Sequence, residues 1–144
     1  MKGSAMQLQD LYFVVITDKL KECKNFYTNW FGFKVLFEAS WFIYLASQGE
    51  HSFGLAFMSP EHPSSPPNPG LYNGSGSFIT LQVENVTTEF QRLREAGLEI
   101  AYELRDEAWG QRRFGLYDPA GMWVDVVEQI DSQAGFWDQY LTNG

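Results

Sequence analysis

The sequence predicts an α+β fold built from two modules in tandem, each running strand, helix, strand, strand, strand (βαβββ). Two observations predict it. First, one order of apolar patterns occurs twice, with a cap-to-glycine helix interval at Asp18–Gly32 and again at Asn85–Gly97. Second, residues 59–76, "SPEHPSSPPNPGLYNGSG", separate the two halves, are rich in Pro, Ser, Gly and Asn, and keep neither the helical nor the strand period. Residue identity between the halves is weak, so the repeat is one of pattern. A chain of 144 residues fits one domain that buries its core without disulfides. The expected organisation is a single domain over 6–130, with module one at 8–58, the linker at 59–76 and module two at 77–130, followed by a tail at 131–144.

Each element has a local reason. "LYFVVI" at 11–16 is apolar and β-branched, as strands are. Asp18 is expected to cap the helix that follows. "KLKECKNFYTNW" at 19–30 places Leu20, Cys23, Phe26, Tyr27 and Trp30 at helical spacing, and Gly32 ends the run. Strand-like runs lie near 34–38, 41–46 and 53–58, with "SQGE" turning between the last two. In the second half "FITLQV" at 78–83 is a strand, and Asn85 caps a helix over 86–96 with Phe90, Leu93 and Ala96 on one face. Gly97 ends that helix, and strand-like runs follow near 98–104, 112–117 and 122–128. "AGFWDQYL" at 134–141 reads as a short helix, serving as a cover for one end of the core, a lid or a dimer contact.

Composition excludes some functions. Acids outnumber bases 18 to 10, for a net charge of -8, which argues against binding nucleic acid phosphates. That charge suits a cationic small molecule and equally suits plain solubility. Aromatic residues make up 17% of the chain, more than a core this small needs, so some are expected in a ligand pocket or an interface. The lone cysteine, Cys23, rules out a disulfide within the chain and sits on the inner helix face as a small hydrophobe, with no histidine beside it. No apolar run reaches membrane-spanning length and no signal-peptide pattern opens the chain, so a cytoplasmic location is expected. The opening "MKGSAM" reads as an appended stretch, with Met6 a plausible native start.

The most informative stretch is Trp109–Glu128, "WGQRRFGLYDPAGMWVDVVE". It reads as two strands joined by the turn Asp118-Pro119-Ala120-Gly121. With Tyr117 opposite Met122, counting pairs Leu116 with Trp123, Phe114 with Asp125 and Arg112 with Val127. One face then carries Arg112, Phe114, Leu116, Trp123, Asp125 and Val127. The other carries Arg113, Gly115, Tyr117, Met122, Val124 and Val126, and is apolar enough to pack under helices. The first face suits a pocket, although Trp123 and Phe114 can equally be core fill. A half-buried Asp125 wants a partner: Arg112 on its own face, a basic group on a ligand, or water.

The pattern W-G-x-R-x-F, then D-P-x-G, then an apolar strand with a central acid, following two such modules, resembles the glyoxalase / bleomycin-resistance / extradiol-dioxygenase superfamily, the vicinal oxygen chelate proteins, over roughly residues 8–130. "FYTNWFGF" at 26–33 is similar to the family's first helix and its exit. The resemblance implies βαβββ modules that curl their sheets into half-barrels around a central site, commonly in homodimers. In metal-dependent members it implies ligands on the first and last strands of each module. Here those positions fall on Leu11 (beside Asp10), on Leu55, Ala56 or Phe57, on Phe78 and on Asp125. Only Asp125 can hold a metal, and one carboxylate is too few. His51 falls in a turn and His62 in the Pro-rich loop.

The resemblance therefore implies a protein of the bleomycin-resistance type without metal or other cofactor. It would sequester an aromatic, cationic small molecule such as an antibiotic, as a homodimer, with no nucleic acid or membrane partner. The expected ligand contacts are Phe13, Trp41, Phe78, Trp109, Arg112, Phe114, Trp123 and Asp125. The alternative is an enzyme of the same superfamily, a lyase, isomerase or dioxygenase with a non-standard site, in which Asp125 works with Glu103 or Glu107. A third reading is an interaction module with its aromatics at a protein interface.

Overall fold

The structure is a computed structural model that describes residues 3–67 and 69–142. The chain divides into two compact units, Met1–Tyr72 and Asn73–Gly144.

The first unit contains β1 (Tyr12–Ile16), α1 (Leu20–Phe31), β2 (Lys34–Glu38), β3 (Phe42–Ala46) and β4 (Gly54–Met58). Its sheet has the order β1-β4-β3-β2, with β1 parallel to β4 and the other pairs antiparallel. α1 buries Cys23 and Tyr27, the Tyr27 ring lying 5.5 Å from that of Phe57. Phe57 thus points at the helix. Its neighbours in register, Val15 and Ile43, share that side and are buried with it, as are Leu45 and Leu55. Complete burial of each such side chain contributes about 2 kcal/mol of hydrophobic free energy.

The entry to α1 corrects an expectation. Lys19, not Asp18, occupies the N-cap position, and no side chain caps the helix. Thr17 Oγ1 accepts the Lys19 N–H at 3.1 Å instead, a hydroxyl turn that sets the chain's entry into the helix. Gly32 closes the helix in the left-handed conformation (φ 72°), as its residue type suggests.

Much of the linker is packed on this unit. Ser59 N–H bonds the Trp41 carbonyl and Tyr72 N–H bonds the Ile16 carbonyl. The His62 ring stacks on Trp41 at 3.8 Å with an interplanar angle of 6°. His51 is exposed in the bend between β3 and β4.

The second unit contains β5 (Phe78–Gln82), α2 (Val86–Glu95), β6 (Tyr102–Glu107), β7 (Gln111–Tyr117) and β8 (Trp123–Gln129). A 3-10 turn at Phe136–Gln139 follows. The sheet order is β5-β8-β7-β6, again with a parallel first pair. Asn85 does cap α2, its side chain accepting the Thr88 N–H at 3.1 Å. Residues 98–101 form the helix exit rather than a strand. Gly97 takes φ 97°, and Leu98 N–H returns to the Leu93 carbonyl, so β6 starts only at Tyr102. The tail folds back on the β6–β7 connection, where Gln133 N–H bonds the Ala108 carbonyl and Trp137 Nε1 donates to the Trp109 carbonyl at 3.0 Å. Both units repeat the expected βαβββ order, and neither sheet closes on itself. Among the described residues no helix is long and apolar enough to cross a membrane.

Candidate functional site

The register of the β7–β8 hairpin decides which side chains meet. Tyr117 pairs with Trp123, Gly115 with Asp125, Arg113 with Val127 and Arg112 with Glu128. The strands meet one residue later than the Asp-Pro-Ala-Gly turn suggests. The Asp118 carboxylate accepts the N–H groups of both Ala120 and Met122, and Asp118 N–H bonds the Met122 carbonyl, which draws Met122 into the loop. A shift of one residue turns every β7 side chain over relative to β8.

The two faces are therefore re-sorted. Phe114 lies 5.2 Å from Phe90 of α2, so Arg112, Phe114 and Leu116 look toward the helix side with Val124, Val126 and Glu128. The opposite face, away from α2, carries Arg113, Gly115 and Tyr117 with Trp123, Asp125 and Val127. β5 adds Phe78, Thr80 and Gln82 to it, in parallel register with Trp123, Asp125 and Val127.

β6 contributes through a bulge. Tyr102 pairs with Gly115 and Arg105 pairs with Arg113, so three steps along β6 match two along β7. The extra residue puts Tyr102 and Arg105 on one face, where regular alternation would separate them. Both Arg105 and Arg113 accordingly lie over the Tyr102 ring, at 4.6 and 5.2 Å from its centroid.

These residues form one bonded cluster. The Asp125 side chain is 5% exposed and both its oxygens are engaged. Oδ2 accepts Arg113 at 2.9 Å, and Oδ1 accepts Trp123 Nε1. Glu107 accepts Arg113 at 2.8 Å and the Tyr102 hydroxyl at 2.7 Å. Burial alone would raise the Glu107 carboxyl, but the hydrogen bonds from Tyr102 and Arg113, with the Arg113 charge, hold it below its ordinary value. Burial likewise opposes the Arg113 charge, and Glu107 and Asp125 overcome it. The guanidinium also rests over Trp109 at 4.9 Å. Trp123 extends over Gly115: a Cβ there would stand 2.1 Å from the indole. The rings of Tyr117 and Tyr102 lie 5.0 and 6.4 Å from Trp123.

The expected contacts are divided by this arrangement. Phe78, Trp123 and Asp125 share the face away from α2, and Trp109 borders it through Arg113. Arg112 and Phe114 lie on the other face, Arg112 bonded to Asp106 at 2.6 Å and Phe114 fully buried. In the first unit, Phe13 pairs in register with Leu55, on the side of the sheet that faces α1, and Trp41 is stacked under His62. Arg113, Tyr102, Arg105 and Tyr117 are the members that the expected contacts lack, and Glu107 is expected beside Asp125 as an acid–base partner. A five-residue loop would have put Arg113 beside Asp125, whereas no sequence signal marks the bulge.

The ion pair expected of Asp125 is made by Arg113, not Arg112, and it removes the free carboxylate on which a cationic ligand would depend. The acid–base partners are likewise committed: Glu107 to Arg113, and Glu103 to Arg94 at 2.6 Å. Nor does the donor set fit a metal ion. Of the four positions implied by the resemblance, Leu11, Leu55–Phe57 and Phe78 are apolar, and Asp125 is bonded to an arginine and an indole. Among the described residues no three His, Cys, Asp or Glu side chains gather where they could hold an ion.

Residues 11–126 match the Glyoxalase/Bleomycin resistance protein/Dioxygenase superfamily. Solved structures share the fold. A glyoxalase/bleomycin resistance protein/dioxygenase from Nocardioides has a TM-score of 0.71 at 18% identity, over 92% of this chain and 91% of that one. TnmS3, an antibiotic binding protein from Streptomyces sp. CB03234, has a TM-score of 0.63 at 22% identity, over 88% of this chain and 99% of its own. A lactoylglutathione lyase from Agrobacterium tumefaciens has a TM-score of 0.62 at 19% identity, over 88% and 95%. No curated protein sequence matches the chain.

Proposed function

The chain belongs to the glyoxalase/bleomycin resistance protein/dioxygenase superfamily, and on that footing we propose that it binds and sequesters a planar aromatic small molecule, such as an antibiotic, without a metal or other cofactor. The binding surface is the face of the second sheet that carries Trp123, Tyr117 and Phe78. One observation carries this reading: Trp123 is fixed in place by Asp125 at its nitrogen and by the missing side chain of Gly115 beneath its ring. Tyr117, 61% exposed, and Phe78, 60% exposed, stand beside it. An aromatic surface already held in one orientation loses little entropy when a ligand stacks on it, and each well-placed ring pair adds about 0.5–1.5 kcal/mol beyond area burial. The fold shared with an antibiotic binding protein supports the same reading.

A positive charge on the ligand is not part of this proposal, because both acids of the face are already ion-paired with Arg113. Equilibrium dialysis against neutral planar aromatics of two and three fused rings tests it. Saturable binding by the wild type and its loss in Trp123→Leu, with the unfolding midpoint followed in parallel, is the expected result. Binding that survives the substitution, or no saturable binding at all, rejects the reading.

A further inference from the structure

We propose that Arg105 is an anion anchor on this face, and that the ligand is a planar aromatic acid. The inference rests on the aromatic-binding reading above and names the chemistry of its ligand.

The β6 bulge sets two guanidiniums directly opposite each other, Arg105 against Arg113. Like charges in that position destabilise a sheet unless each has a counter-charge. Arg113 has two, at 2.8 and 2.9 Å. Arg105 has no ion pair: of the chain's five arginines, Arg92, Arg94, Arg112 and Arg113 sit in ion pairs, and among the described residues no carboxylate lies within ion-pair distance of Arg105, whose charge reaches Glu107 only through space. Both acids of the face direct their hydrogen bonds from arginine to Arg113, which leaves the N–H donors of Arg105 unused by them.

Arg105 is nevertheless positioned. Its guanidinium lies over the Tyr102 ring at 4.6 Å, and the Tyr102 hydroxyl is fixed by Glu107. Stacking holds the plane of the guanidinium and leaves its N–H donors at the edge open to an acceptor. A carboxylate matches that fork with two parallel hydrogen bonds. Tyr102 also neighbours Trp123, so a carboxylate at Arg105 carries its attached ring toward the aromatic surface. Without the bulge Arg105 would point to the opposite side, and this juxtaposition would not exist.

The test is equilibrium dialysis of the full chain with 2-naphthoate and with its uncharged methyl ester at pH 7, using the wild type, Arg105→Gln and Arg105→Lys. The wild type is expected to hold the acid about tenfold more tightly than the ester, the factor one charge-assisted contact provides. In Arg105→Gln the two affinities should converge to within about twofold while that of the ester stays unchanged, and Arg105→Lys should keep part of the preference. Equal binding of acid and ester by the wild type, or a preference for acid that survives Arg105→Gln, overturns the assignment of Arg105 and leaves the aromatic surface standing. If neither probe binds, the aromatic surface and its anchor fall together.

Discussion

Trp123 occupies the space a side chain at Gly115 would need, and its nitrogen ends on the carboxylate of Asp125, the residue paired with Gly115. Gly115 is thus required by its neighbour, not by its own backbone. Gly115→Ala should displace the indole and cost about 1–3 kcal/mol, the usual penalty of overpacking. In a Trp123→Leu background the same change should cost much less. Urea midpoints of the four proteins in this cycle, with tryptophan emission as a reporter of the indole's surroundings, decide the point.

The ion pair between Arg113 and Asp125 makes a second claim about the same cluster. Asp125→Asn keeps the shape and removes the charge, and should cost about 1.5–3 kcal/mol, as lost hydrogen bonds to charged groups do. Arg113→Gln combined with it should show a coupling energy of about 1–3 kcal/mol. Because Asp125→Asn leaves the Arg113 charge less compensated beside Trp123, the variant should hold cationic aromatics less well relative to neutral ones, which paired dialysis experiments measure.

Glu107 gives the stability of the second unit a pH dependence of fixed sign. Its carboxyl lies below the ordinary value in the folded chain, where its hydrogen bonds and Arg113 outweigh burial. Below the unfolded value, about 4.3, the unfolded chain takes up this proton before the folded one does. The contribution of Glu107 is therefore whole above that value and lost as pH falls through the folded one. Glu107→Gln should be less stable than wild type at pH 7, and the gap should close in urea titrations carried down toward pH 3.

The two helix entries differ, and substitution should expose the difference. Asn85→Ala removes a side-chain acceptor from α2 and should cost about 1 kcal/mol. Asp18→Ala removes no cap and should fall within about 0.5 kcal/mol of wild type. Thr17→Val, which deletes the hydroxyl that receives Lys19 N–H, should cost about 1 kcal/mol. Denaturant midpoints of the three variants provide the check.

The element order was legible because apolar period and glycine punctuation are local signals. "LYFVVI" and "FITLQV" read as strands, and Asn85, Gly32 and Gly97 mark helix ends where the structure has them. Register was not legible, because it depends on a side chain folding back on its own loop. With both Ala120 and Met122 bonded to Asp118, a turn that looks four residues long holds five, and Arg112 and Phe114 exchange sides with Arg113 and Gly115. The bulge in "YELRDE" was hidden for a similar reason. None of its residues is a glycine or proline, and only pairing with β7 reveals the extra step.

That extra step ties the placement of Arg105 to the length of β6 as well as to its residue types. Loss of a single codon between Tyr102 and Arg105 would straighten β6 and still leave the two side chains on one face, whereas a regular pairing that kept both intervening residues would turn the guanidinium to the helix side. Relatives that share the sheet can in this way keep the same juxtaposition at two different strand lengths, an equivalence that comparing aligned residues one by one would overlook.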